Sequence, residues 1–192
     1  MIYYPKFLTK LRDIPVPLAS KFLKRNAAND DFEWADAGGG SPLQHMHIRD
    51  EKASGSFGGA AAGGNQVRAL NTVVTNTITG ASLSSNRITL PAGIYSIHAY
   101  SPGRGTQSSR LYFYNYSDST IAINGVSAKM ENTDGLRTEF MGRVDITTEK
   151  TFEVKQWNQQ SFDGGGIGYG YVTAGQSGIN EVFTEVLITK VG

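Results

Sequence analysis

The chain of 192 residues contains no cysteine, which removes disulfide staples, thiolate nucleophiles and cysteine-based zinc sites together. It must hold its shape by packing alone. Histidine is nearly as scarce, with His45, His47 and His98 the only three. No Gly-x-Ser-x-Gly elbow accompanies them, so nucleophilic hydrolysis has no support beyond composition. The two carboxylates of a glycosidase need not be near in sequence, but Asp118, Glu139 and Asp163 read as loop residues with no pairing pattern. The chain is expected not to be an enzyme and to carry no cofactor. Charge of one sign is also lacking in excess, with 18 Lys and Arg against 17 Asp and Glu for a net charge of +1. A nucleic-acid partner requires a clustered basic surplus. Arg104, Arg110, Arg137 and Arg143 instead stand singly, as members of surface ion pairs with no ligand assigned. No apolar run approaches the roughly 18 residues of a membrane span, and MIYYPKFLTKLRDIPVPL lacks the continuous apolar stretch of a secretory signal. Synthesis in a cytoplasm, without membrane insertion, is expected.

What the chain has in quantity is glycine, 23 residues unevenly spread. Composition separates three zones: a mixed, proline-punctuated segment at 1–37, a Gly/Ala/Ser-rich linker at 38–65, and a head domain at 66–192 that alternates apolar and polar residues. Pro5, Pro15 and Pro17 break any long helix in the first zone, which reads as an extended arm. Within it, FLKRNAANDDFEW sets Phe22, Leu23, Phe32 and Trp34 on either side of an Asn-rich turn, a pattern suited to a small hairpin or a docking segment. GGGS at 38–41 and GSFGGAAAGGN at 55–65 favour a linker or closely approaching backbones.

The third zone supplies strand candidates VRALNTVV, RITL, IYSIHAY, RLYFYNY, TIAI, TEFMGRVDIT, TFEVKQW, GYGYVT and EVFTEVLITKV. Eight to nine short strands separated by Gly, Pro, Asn-Gly and Asp-Gly suit an all-β antiparallel sandwich or jelly roll. Asn124-Gly125 reads as a tight turn. GGGIGYGYVTAG at 164–175 interleaves glycine with Tyr169 and Tyr171, which lets a strand lie close against another backbone, that of a neighbouring subunit in a trimer. In RLYFYNY, strand alternation puts Leu111 and Phe113 on one face and Tyr112, Tyr114 and Tyr116 on the other.

The pieces HMHIRDEKASGSFGG, VRALNTVVTNTITGASLSSNRITLPAGIYSI, RLYFYNYSDSTIAINGVSA, GRVDITTEKTFEVKQW and NEVFTEVLITKV, in that order, resemble a C-terminal module of bacteriophage tail and virion proteins over about residues 45–192. That module is similar to the jelly roll of the complement globular head and tumour necrosis factor proteins. FLKRNAANDDFEWADAGGG also resembles short segments of phage fibre proteins. The resemblance implies a trimeric jelly-roll sandwich whose loops and inter-subunit grooves bind partners. No coiled-coil heptad or Gly-X-Y shaft joins arm to head, so the implied role is a short tail fibre or knob rather than a long fibre. The arm, through Phe22, Leu23, Phe32 and Trp34, would anchor it to other virion proteins of tail or capsid. The head would meet the host surface, with a cell-surface glycan as one partner and itself as another. A head fibre or capsid decoration protein and a free carbohydrate-binding lectin are the alternatives. Localisation follows as the virion, released by lysis.

The tyrosine face, Tyr112, Tyr114 and Tyr116, then offers either an inter-subunit contact or a sugar-stacking surface. Trp157, followed by Asn158, Gln159 and Gln160, is a second such candidate. His45-Met46-His47 is the one metal-like pattern, because two histidines pointing the same way from each of three chains would present six nitrogens around an axis. Two imidazoles simply solvated or hydrogen-bonded between subunits are the plainer reading.

Overall fold

The computed structural model describes residues 21–25, 32–36, 43–129, 135–170 and 178–192. The chain divides into two compact units, Met1–Pro42 and Leu43–Gly192. In the first, β1 (Lys21–Arg25) and β2 (Phe32–Asp36) pair antiparallel, with Phe22 opposite Ala35, Leu23 opposite Trp34 and Arg25 opposite Phe32. This is the expected small hairpin.

The second unit is built from β3 (Gln44–Lys52), β4 (Gly64–Val67), β5 (Thr72–Asn76), β6 (Ser82–Ser84), β7 (Arg87–Leu90), β8 (Gly93–Arg104), β9 (Ser108–Asn115), β10 (Thr120–Lys129), β11 (Gly135–Ile146), β12 (Lys150–Asn158) and β13 (Glu181–Lys190). No helix occurs among the described residues. The strands form two antiparallel sheets. One has the order β11-β8-β13-β3-β5 and carries the histidines. The other has the order β10-β9-β12-β7-β6, with β4 also on β12, and carries the tyrosines. We call them the histidine sheet and the tyrosine sheet.

Alternation decides which side chains meet between them. Met46 and Ile48 of β3, Ile97 of β8 and Val186 and Ile188 of β13 point inward from the histidine sheet. Ile88 of β7, Leu111 and Phe113 of β9 and Phe152 and Val154 of β12 answer from the tyrosine sheet. Phe113 stacks on Phe152 at 4.6 Å between ring centroids and leans on Phe140 at 5.7 Å. Each fully buried side chain of this kind is worth about 1.5–3 kcal/mol of transfer free energy, which lets a chain without disulfides keep two sheets together.

One end of the sandwich is polar inside. Arg68 and Asp50 are both almost fully buried. The Arg68 guanidinium lies 3.5 Å from the ring centroid of Tyr169, its Nε donates to Thr184 Oγ1 at 3.1 Å, and its Nη2 stands 3.9 Å from Asp50 Oδ2. Neither Asp50 oxygen accepts a hydrogen bond from a protein group. Burial pushes the Asp50 carboxyl above its usual range, against the pull of Lys52 and Arg68, and pushes Arg68 below its own.

Several sequence expectations change here. Residues 38–65 are not simply a linker, because β3 lies between β13 and β5 inside the histidine sheet and the compact unit begins at Leu43. VRALNTVV is two strands, since the chain leaves the tyrosine sheet after Val67, buries Arg68 and enters the histidine sheet at Thr72. Asn124-Gly125 is no turn; it lies inside β10, where the pairing with β9 shifts register between Asn124 and Ser127. The described part of GYGYVT is turn rather than strand. Its glycines do serve close approach, but to this chain's own backbone: Gly58 N donates to Gly170 O at 3.2 Å, Tyr169 N to Gly59 O at 2.9 Å and Arg104 N to Gly168 O at 2.9 Å.

Candidate functional site

Strand register lays out two candidate surfaces, one on the outward face of each sheet. On the histidine sheet, Met141, His98, Leu187, His47 and Thr75 stand side by side across β11, β8, β13, β3 and β5. The adjacent row reads Glu139, Tyr100, Glu185, Arg49 and Thr72. In the first row Met141 is 76% exposed and Leu187 44%. In the second, Glu185 gathers three donors. Arg49 Nε donates to its Oε1 at 2.8 Å, His47 Nε2 lies 2.6 Å from the same oxygen, and Tyr100 Oη donates to Oε2. Burial alone would raise the Glu185 carboxyl. The hydrogen bonds from Tyr100, Arg49 and His47 and the charge of Arg49 outweigh it and hold the carboxyl at about 2. Arg137 lies 4.2 Å from the Tyr100 ring centroid and pairs with Glu139 at 3.6 Å. A hollow of about 300 Å³ opens between His47, His98, Tyr100, Glu185 and Leu187.

On the tyrosine sheet, Asn65, Trp157, Arg110 and Ser127 form one row across β4, β12, β9 and β10. Lys155, Tyr112 and Asn124 form the next. Between Asn124 and Ser127, β10 has one more residue than the facing part of β9, and this bulge parts the two rows. A hollow of about 400 Å³ results, walled by Trp157 and floored by Tyr112. Arg110 is steadied by Ser127 Oγ, which accepts from its Nε at 2.9 Å and also from its Nη2. Burial, followed by the neighbouring Tyr114 and Glu153, raises the Tyr112 hydroxyl above its usual range.

The tyrosines diverge in use. Leu111 and Phe113 are core and Tyr112 and Tyr114 share the opposite face, as alternation requires, while Tyr116 lies in the turn that follows β9. Tyr114 lies under Lys155 Nζ at 3.6 Å, and Tyr116 under the Arg87 guanidinium at 3.7 Å. Glu153 ties these cations down, with Arg87 Nε at 2.8 Å and Lys155 Nζ at 3.2 Å. Tyr112 and Trp157 are the pair that share a hollow. Tyr169 departs from its expected place at a surface: it is only 7% exposed, its ring covers Arg68, and its hydroxyl accepts from Asn158 Nδ2 at 3.2 Å. Tyr171 lies outside the described residues, and Phe22, Leu23, Phe32 and Trp34 are described only by strand position. His45 and His47 alternate with buried Met46 and so share the outward face of β3. Among the described residues, no group of three or more His, Cys, Asp or Glu side chains could hold a metal ion. Glu139, expected in a loop, sits in β11.

No family model matches the sequence, and no curated protein matches it. Among solved structures, murine APRIL at pH 5.0 superposes with a TM-score of 0.51 at 8% identity, over 78% of this chain and 99% of that one. The chain folds as a tumour-necrosis-factor-like jelly roll. The globular domain of zebrafish complement 1qA protein matches over 78% of this chain and 98% of its own, with a TM-score of 0.46 at 8% identity. At such identities the likeness is one of fold alone. The jelly roll accounts for the sheet orders: its strands cross repeatedly between sheets, so residues distant in sequence become row neighbours. Asn65, Arg110, Asn124 and Ser127 escaped sequence reasoning as a group for this reason, ordinary polar residues spread over the three strands β4, β9 and β10.

Proposed function

We propose that this chain is a structural protein of a bacteriophage virion, a short homotrimeric fibre or knob that projects its jelly-roll head toward the host surface and performs no catalysis. The single observation that carries the self-association is the row of Met141 and Leu187, large apolar side chains left in water on the outward face of the histidine sheet. The partner surface is the edge where β10 packs beside β11, which exposes Val126 at 66% and Ile121 at 56%. Face against edge is a heterologous contact, and a heterologous contact that closes makes a ring. Three copies is the number the sequence resemblance implies, and placement on a phage particle, with residues 1–37 as the joining arm, rests on that resemblance.

Sedimentation equilibrium tests the assembly. The chain should sediment at about three times its 20.7 kDa, and Met141→Glu should sediment as single chains with an unchanged β-type circular dichroism spectrum. A Met141→Glu protein of wild-type mass would remove this face from the interface. Locating the protein by density or immunogold on intact particles tests the role: tail density supports host recognition, capsid density supports a decoration protein, and absence from the particle leaves a free lectin.

A further inference from the structure

The groove on the tyrosine sheet has a composition that the core and the proposed interface leave unexplained. Trp157 is 40% exposed although its neighbours on β12, Gln156 and Asn158, are fully buried. A half-bare indole beside Asn65, Asn124 and Ser127 combines a flat apolar wall with amide and hydroxyl groups that both donate and accept. That is the chemistry of a saccharide ring, whose C–H face stacks on an aromatic while its hydroxyls pair with planar amides. The volume of about 400 Å³ lies toward the small end of the range for ligand sites, which suits one or two sugar units.

Charge narrows the class. Among the described residues, Arg110 is the only charged one lining the hollow, and no carboxylate among them lines it. Ser127 holds the guanidinium through Nε and Nη2, leaving its remaining donors for a ligand. Lys155, which stands opposite Tyr112 on β12, is held by Glu153 at 3.2 Å. We infer that the groove formed by Trp157, Tyr112, Arg110, Asn65, Asn124 and Ser127 is a binding site for an acidic saccharide, with Trp157 stacking on the ring, Arg110 pairing with the sugar carboxylate, and Asn65 and Asn124 reading hydroxyls. The inference names the host-surface chemistry of the head proposed above and rests on that reading for its biological use. The groove lies on the sheet opposite the Met141 and Leu187 face but shares Ile121 with the β10 edge offered above as the partner surface, so the binding is measured on the Met141→Glu single chain as well as on the wild type.

The test uses the full chain with Trp34→Phe, which leaves Trp157 as the only indole of the two in the sequence. Methyl β-D-glucuronide and methyl β-D-glucopyranoside differ only in the carboxylate and serve as probes. The glucuronide should change Trp157 fluorescence saturably, with a Kd near the millimolar range expected of a single shallow site, and the glucoside should bind at least tenfold more weakly. Arg110→Ala should remove that preference, and Asn124→Ala should weaken both sugars while keeping it. No saturable response, equal binding of the two glycosides, or an unaltered preference in Arg110→Ala would overturn the assignment. Sedimentation of the same samples separates the two ideas: a trimer that ignores both sugars sinks the groove alone, and a single chain that prefers the glucuronide sinks the assembly alone.

Discussion

Glu185 gathers more of the surface chemistry than any other single residue described. Its carboxylate accepts from β3 through His47 and Arg49 and from β8 through Tyr100, so one side chain of β13 clasps both neighbouring strands. A carboxyl held at about 2 in the folded protein against 4.5 when free contributes stability that is complete above the free value and is lost as pH falls toward the folded one. The full shift corresponds to about 3 kcal/mol. Urea unfolding of wild type and Glu185→Gln at pH 6 and again at pH 2.5 should show the wild type losing about 2–3 kcal/mol more than the variant across that interval; parallel losses would free the carboxylate from this role. Sequence alternation put His45 and His47 on one side of an extended segment, but Glu185 is 138 residues from His47. No periodicity within a strand reports a partner supplied by another strand. The same holds in the groove, where Tyr112 and Trp157 stood out by type while Arg110 and Asn124 became meaningful only through register.

Elements were legible where local pattern and tertiary role coincide. β7, β8, β9, β12 and β13 follow apolar alternation bounded by turn residues, and they formed as expected. β10 shows where the coincidence fails. An Asn-Gly pair signals a hairpin turn because both residues accept positive φ, yet Gly125 does not adopt one. It is needed for closeness: a Cβ there would collide with the backbone carbonyl oxygens of Leu111 and Glu139, atoms of two different strands that have no rotamer to yield. Glycine serves conformation and proximity alike, and a dipeptide cannot say which. Gly125→Ala should therefore lower the melting temperature by about 5–10 °C, the scale of overpacking by 1–3 kcal/mol in a chain of this size. Gly135→Ala, at the start of β11 with open space around its Cβ, should leave it within about 1 °C. Equal melting temperatures for the two variants would show that β10 does not approach β9 and β11 this closely. β3 was missed for the opposite reason, since its glycine-rich flanks masked a strand whose inward residues, Met46, Ile48 and Asp50, are few and mixed in polarity.

At the scale of the whole molecule, the compact unit Leu43–Gly192 contains both sheets and the entire core. A protein lacking residues 1–42 should keep its β-type circular dichroism spectrum and its sedimenting mass, and in the reading proposed here it should fail to enter particles; loss of fold on that deletion would mean that the hairpin completes the head. The sandwich class and its likeness to the jelly roll of the complement globular head and tumour necrosis factor proteins were open to a reader of the sequence. The order of strands within each sheet was not, because it is set by crossings between sheets.

That order has a consequence for how the head is made. β12 is the middle strand of one sheet and β13 the middle strand of the other, although they come after all the other strands in the chain. While a ribosome works through the first 150 residues, each half-built sheet is split down its centre, with β9 and β7 unbridged on one side and β8 and β3 on the other. Pairings between such distant segments form slowly, and bare strand edges invite association with other chains in the meantime. A chain cut short before residue 181 has no sealed histidine sheet and so cannot present Leu187 beside Met141. In the assembly proposed above, the topology would thereby act as a proofreading step, admitting only chains translated to the end of β13.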